Sequence, residues 1–362
     1  MNATRALQDL GQSLWLDSIT RDMVDNGTLR RYIDEFSVTG LTSNPTLFDE
    51  AIGGSTAYDH DIREKSAAAK SGEALFIDLA LDDLRRAADL FRPVFDRTGG
   101  VDGWVSMEVS PLLAYDTSGS IASAASIHRL AARPNLYVKI PGTPEGLPAI
   151  EESIFNGVPI NVTLLFSREQ YLASADAYLR GIERRIAAGR DPRVPSVASL
   201  FVSRWDKAVA DEVAPELRNR LGIAIAGRTY RAYRELLASS RWRGLAASGA
   251  RPQRLLWGST GTKDSNASDT LYIEALAAPD TINTIPEKTL RAFADHGTLR
   301  GVMAKDGGDA ESVLGRFTKE GIDLDALALR LQRDGARAFV KSWEQLMSRI
   351  KAKGEALAST EQ

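Results

Sequence analysis

Short apolar runs, each closed by a polar or turn-forming residue, recur along the chain and alternate with stretches of helical spacing. Leu14–Asp17 (Leu-Trp-Leu-Asp) predicts a first strand, and Ser18 and Thr20 open a helical stretch. Val38–Asn44 predicts a second strand, after which Pro45 opens a helix with Asn44 in the N-cap position. From there to residue 100 the chain reads as helical. Leu75, Leu79, Leu84 and Ala88 keep near-helical spacing until Gly99-Gly100 ends the segment. Gly103–Pro111 predicts the third strand, followed by an alanine-rich helix over Ser118–Ala132. Leu136–Ile140 predicts the fourth. Pro141-Gly142 stops it, and Thr143 and Pro144 look like the N-cap and first residue of the next helix, which Gly157 ends. Val158–Phe166 is the fifth run, and Ser167–Gln170 has the form of a capping box. Ser196–Ser203, Arg254–Gly258 and Asp280–Thr284 predict strands six to eight, with Pro286 starting another helix. Residues 323–352 predict a last helix, on which Phe339, Trp343, Leu346 and Ile350 form an apolar stripe.

Eight strand-like runs alternating with helices favour a parallel sheet closed into a (β/α)8 barrel of the TIM type, with additional helices. An open doubly wound sheet is the competing architecture, but no G-x-G-x-x-G follows the first strand. No repeat, linker or boundary divides residues 1–362, so the expectation is one barrel domain with a C-terminal helical extension at about 323–352. The stripe on that helix either packs against the barrel or forms a subunit interface, so monomer and homodimer both stay open.

Composition narrows the chemistry. The chain has 362 residues and a formal net charge of -3, which leaves no basic footprint for nucleic acid. No apolar run reaches the roughly 18 residues of a membrane span, and no signal peptide is visible, so the expected location is cytoplasmic. There are no cysteines, which removes thiol nucleophiles and cysteine metal sites. The three histidines, His60, His128 and His296, are scattered and expected at the surface. No metal and no cofactor are expected.

Lys139 sits near the C-terminal end of the fourth strand, the end where parallel barrels carry out their chemistry. It either points into solvent at a strand edge or is buried. Burial of its charge is costly and favours the neutral, nucleophilic amine. Asp17 ends the first strand and reads either as a site carboxylate or as a helix cap. Asn44 is accounted for by capping alone. Glu108 lies inside an apolar strand, so it is expected to be paired or functional. Asn161 and Thr163 share one strand face, as do Ser199 and Phe201, with Arg204 just beyond. Plain core packing is the other reading of Phe201.

Three segments, Gly-Leu-Thr-Ser-Asn-Pro-Thr (40–46), Val-Lys-Ile-Pro-Gly-Thr (138–143) and Ile-Asn-Val-Thr-Leu-Leu-Phe-Ser (160–167), resemble the signature segments of transaldolases. With Asp17 before them and Ser-Leu-Phe-Val-Ser-Arg (199–204) after, they cover nearly all of the expected barrel, and the length resembles the longer bacterial members. The resemblance implies metal-free, class I chemistry on small sugar phosphates: transfer of a dihydroxyacetone unit from sedoheptulose 7-phosphate to glyceraldehyde 3-phosphate. It implies a Schiff base on Lys139 and an acid/base role for Asp17. Glu108 and Thr163 are expected to hold a catalytic water, while Asn44, Asn161 and Ser199 hold hydroxyls of the three-carbon unit. Thr42 lies in the same site, and Arg204 binds phosphate. A related aldolase that releases free dihydroxyacetone is the nearest rival. In those aldolases a tyrosine serves as acid/base near the place of Phe201. Many shorter transaldolases carry an arginine two residues past the serine that matches Ser259. Here that position is Gly261, and Lys263 is the candidate for the second phosphate contact.

Overall fold

A computed structural model describes residues 3–68, 70–299 and 301–359. Eight strands form one parallel sheet: β1 (Ser13–Asp17), β2 (Val38–Thr42), β3 (Val105–Glu108), β4 (Leu136–Pro141), β5 (Ile160–Leu165), β6 (Ser196–Phe201), β7 (Gln253–Gly258) and β8 (Ile282–Ile285). Their order, β2-β1-β8-β7-β6-β5-β4-β3, follows the chain around a barrel. Closure between β2 and β3 is a single parallel bridge, Gly40 to Trp104, with Leu41 N donating to Trp104 O at 2.9 Å. Gly40 suits that seam because a Cβ there would stand 2.7 Å from the Trp15 ring and 2.8 Å from Trp104 O. The fold is the expected (β/α)8 barrel, not the open sheet.

The interior follows from the two-residue period of strands. Trp15, Trp104, Tyr137, Val197, Leu256 and Ile282 form a packed apolar floor, separate from the larger core between barrel and helices. Trp104 and Tyr137 stack with ring centroids 4.1 Å apart. Two residues further along their strands stand Asp17 on β1, Lys139 on β4, Ser199 on β6 and Thr284 on β8. The same parity places Thr42 and Glu108 at the ends of β2 and β3. A polar layer therefore lies over the apolar one at the C-terminal mouth of the barrel.

Element boundaries move by one to three residues at most strand ends. Thr143 does accept from Gly146 N at 3.0 Å, but its hydroxyl also donates to Ala114 O at 2.6 Å. That tie keeps the turn after β4 compact, and the helix starts at Gly146 instead of Pro144. Ser167 caps as expected, but Gln170 reaches back to Phe166 N, not to the Ser167 amide. His60 and His296 are exposed, whereas His128 is half-buried beside Ile127 and Ala131 on the inward face of its helix, and burial holds its pKa below the usual value.

The C-terminal helix runs over Leu324–Ser359. Its stripe of Phe339, Trp343, Leu346 and Ile350 is buried against this chain, Trp343 meeting Phe76 edge-on at 5.2 Å. Polar ties reinforce the docking: Arg349 pairs with Asp49 at 2.6 Å, and Lys353 donates to Ile52 O and Ser55 O. Among the described residues, no helix is long and apolar enough to cross a membrane.

Candidate active site

The ends of β3 and β4 bring two charges together first. Glu108 and Lys139 are direct register partners on these strands, and both side chains are almost fully buried. Lys139 Nζ donates to Ser43 O at 3.0 Å and to Glu108 Oε2 at 3.4 Å. The lysine therefore faces the interior and not solvent. Burial raises the Glu108 pKa. The Lys139 charge opposes that rise, and the nearby Asp17 adds to it.

Asp17 closes β1 opposite Thr42 on β2. Thr42 Oγ1 donates to Asp17 Oδ1 at 2.8 Å and lies 2.7 Å from Thr284 Oγ1. Burial raises the Asp17 pKa against the pull of Lys139, the Thr42 hydroxyl, Lys263 and Arg204. Asp17 is not the cap of the following helix, since Thr20 takes that part by accepting from Met23 N. Asn44 is a cap, its Oδ1 accepting from Leu47 N at 3.1 Å, and it lines the cavity as well.

These side chains surround a cavity of about 220 Å³ at the mouth of the barrel. Asp17, Thr42, Asn44, Lys139, Thr163, Ser199, Phe201, Arg204, Ser259 and Lys263 all line it. Glu108 stands behind Lys139, and Asn161 is fully buried beneath the surface, accepting from Ser199 Oγ at 2.7 Å and donating to Ser106 Oγ at 3.3 Å. Asn161 thus orients Ser199 and does not face the cavity in this structure. Thr163 Oγ1 and Glu108 Oε1 are buried with no hydrogen-bond partner among the described residues. Buried polar atoms left without a protein partner are the kind that an ordered water satisfies.

A cationic wall faces the carboxylates. The Arg204 guanidinium is half-buried, 5.0 Å from the Phe201 ring centre and 5.7 Å from that of Phe339. Its pKa is lowered by burial, with Glu108 and Asp17 pulling the other way. Lys263 is largely exposed at the rim. Partial burial of its ammonium and the charges of Arg204 and Lys207 lower its pKa, while Asp17 raises it. Neither cation forms an ion pair with a carboxylate among the described residues. A neighbouring cavity of about 300 Å³ shares Lys263 but contains none of Lys139, Asp17 and Glu108.

Three features of the site lie outside the sequence reading. Ser43 supplies the carbonyl that accepts from Lys139. Thr284, on the expected eighth strand, bridges to Thr42; the period of two from Ile282 on the floor is the signal that points to it. Phe339 comes from the C-terminal helix and carries no motif.

Residues 14–350 match the family model described as Transaldolase/Fructose-6-phosphate aldolase. The chain belongs to the transaldolase/fructose-6-phosphate aldolase family. A transaldolase from Saccharopolyspora erythraea is 44% identical over 353 residues, covering 96% of each chain. One from Thiobacillus denitrificans is 44% identical over 358 residues, covering 97% of this chain and all of its own length. One from Thermobifida fusca is likewise 44% identical over 353 residues. Within this family, the arrangement of a buried amine, two carboxylates and an unpaired cationic wall is suited to forming and breaking bonds next to a carbonyl in a phosphorylated sugar.

Proposed function

We propose that this chain is a transaldolase acting through a Schiff base on Lys139, moving a dihydroxyacetone unit from sedoheptulose 7-phosphate to glyceraldehyde 3-phosphate and yielding erythrose 4-phosphate and fructose 6-phosphate. The observation that carries the reading is the buried Lys139 amine, held by Glu108 and Ser43 O in a cavity that also contains Asp17 and Arg204.

In its neutral form the Lys139 amine attacks C2 of the ketose. Glu108, with a water held by Thr163, takes up the amine proton and returns one to the departing hydroxyl, so the carbinolamine loses water and becomes an imine. The protonated imine is an electron sink. Asp17 removes the proton from the C4 hydroxyl, the C3–C4 bond breaks, and its electron pair moves to the imine nitrogen to give an enamine. Burial raises the Asp17 pKa, which strengthens the carboxylate as a base for the C4 hydroxyl proton. The acceptor aldehyde then enters, the enamine carbon attacks it, Asp17 returns the proton, and hydrolysis frees the product and Lys139. Ser199, oriented by Asn161, and Asn44 hold hydroxyls of the three-carbon unit. Arg204 binds the phosphate by its planar fork, with Lys263 and Ser259 completing the contact.

The test is covalent trapping combined with a coupled assay. Borohydride added with fructose 6-phosphate should leave a reduced three-carbon adduct, measured by intact mass and mapped to Lys139. The coupled assay should show turnover only when an acceptor aldehyde is present. An adduct on another lysine, or an active preparation that forms none, sinks the mechanism.

A further inference from the structure

The C-terminal helix contributes more than packing. Gln332, Gly335 and Phe339 fall on one of its faces, and all three meet the site. Phe339 lines the cavity. At Gly335 an added Cβ would stand 2.9 Å from Leu164 Cδ2 and 3.1 Å from Arg204 Nη1. Gln332 is buried, and its Nε2 donates to both Gly142 O and Leu164 O, each at 3.0 Å.

Those two carbonyls sit at the ends of the strands that carry Lys139 and Thr163, where the sheet is irregular. Pairing between β5 and β6 passes from Val162 opposite Ala198 to Leu165 opposite Leu200, so Thr163 and Leu164 together face Ser199. That is a β-bulge, a feature that re-aims side chains at barrel rims. Leu164 takes a left-handed backbone, φ +58°, which a leucine keeps only where its surroundings impose it. Gly142 N donates to Thr163 O at 2.8 Å, and a Cβ at Gly142 would lie 2.3 Å from Leu165 Cδ2. The turn after Lys139 and the bulge at Thr163 are therefore interlocked, and the Gln332 amide bridges them.

We propose that Gln332 is a positioning residue for the reaction: by bridging the carbonyls of Gly142 and Leu164, its amide holds the β5 bulge that sets Thr163, with its unpartnered hydroxyl, in the wall of the cavity that Lys139 also lines. This rests on the role given above to Thr163 in imine formation. The side chain itself touches backbone only, so its effect passes through Thr163.

Gln332→Met keeps the length of the side chain and removes both donors. The measured step is the single-turnover rate at which fructose 6-phosphate forms the borohydride-trapped adduct. Gln332→Met should slow it about 10- to 100-fold, the scale of a small misplacement in a reacting site, with KM for the ketose phosphate nearly unchanged. Thr163→Val should be at least as slow, and the double variant no slower than Thr163→Val alone. Losses that multiply in the double variant overturn the proposal. So does a normal rate per folded molecule of Gln332→Met, however far Tm falls. If Gln332→Met does not fold, Gln332→Glu decides: its carboxyl donates only when protonated, so its rate relative to wild type should rise as pH falls, and a flat ratio overturns the proposal. A wild-type rate in Thr163→Val removes Thr163 and the Gln332 proposal together but leaves the Lys139 chemistry standing. A wild type that forms no adduct removes all three.

Discussion

Arg204→Ala separates phosphate recognition from folding. The guanidinium lies 5.0 Å from one aromatic ring centre and 5.7 Å from another, and among the described residues no carboxylate pairs with it. The rings of Phe201 and Phe339 hold the fork in place without neutralising it. An arriving phosphate therefore has no ion pair to displace, and the worth of a charge-assisted hydrogen bond, about 1.5–3 kcal/mol, is available to binding. At about 1.4 kcal/mol per factor of ten, the loss is roughly 10- to 150-fold. Steady-state kinetics should show KM for fructose 6-phosphate and glyceraldehyde 3-phosphate rising by that factor, with kcat much less affected. Unphosphorylated dihydroxyacetone as donor is the control and should change little. Arg204→Lys keeps the charge but loses the planar fork, so it should recover only part of the loss. Because burial disfavours the charged guanidinium, its removal relieves a cost of folding, and Tm should stay near the wild-type value. Equal losses with phosphorylated and unphosphorylated donors, or a collapse in Tm, would refute the assignment and make Arg204 a structural residue.

Asp17→Asn can still accept the Thr42 hydroxyl but cannot take a proton, so kcat should fall about 10²- to 10⁴-fold while adduct formation on Lys139 persists. Because burial raises the Asp17 pKa in the folded state, its ionised form destabilises the fold at neutral pH, and calorimetry should give a higher Tm for the variant there; near-normal turnover would remove Asp17 from the reaction. Phe201 lines the cavity and has no hydroxyl, so the wild type should release little dihydroxyacetone from fructose 6-phosphate without an acceptor, and Phe201→Tyr should raise that release and lower transfer. Fast release by the wild type would favour the aldolase reading, and an inert, folded Phe201→Tyr would return Phe201 to the core. Asp206 is buried and accepts from Tyr272 OH and from Leu221 N and Gly222 N, yet burial pushes its pKa from 3.8 up to about 6. The folded state then binds the extra proton between these two values, so this group's contribution to stability is full below about pH 4 and is lost as pH rises through about 6. The difference in Tm between wild type and Asp206→Asn should change across that window and be flat above it; a difference constant with pH would show that folding does not shift the Asp206 pKa.

The chain's own pattern determined most of the barrel and the centre of its site. Each strand is an apolar run with a polar residue near its end, and a strand's period of two is local, so Lys139 could be assigned to the mouth of the barrel before any contact was known, while Asp17, Glu108 and Ser199 joined it through the family resemblance. What that pattern could not separate is what lies beyond the strand ends. Asn161 and Thr163 share a parity, yet Asn161 turns to Ser199 beneath the cavity while Thr163 faces into it. The difference is one of depth, since Asn161 is level with the floor residue Val197 and Thr163 lies two residues nearer the mouth, where the sheet is irregular at a left-handed leucine, 164, that has no local signature of the kind that glycine or asparagine provides. Closure at Gly40 depends on the Trp15 ring and the Trp104 carbonyl, groups that only a completed barrel brings within 3 Å of that position. Phe339 and Gln332 lie on a helix whose apolar spacing predicts a buried face and nothing about what that face covers. Their partners, Arg204, Gly142 and Leu164, are more than 100 residues away in sequence. Only the docking of the C-terminal helix onto the barrel mouth made them part of the site, because a local period specifies the direction of a face but not the surface it will meet.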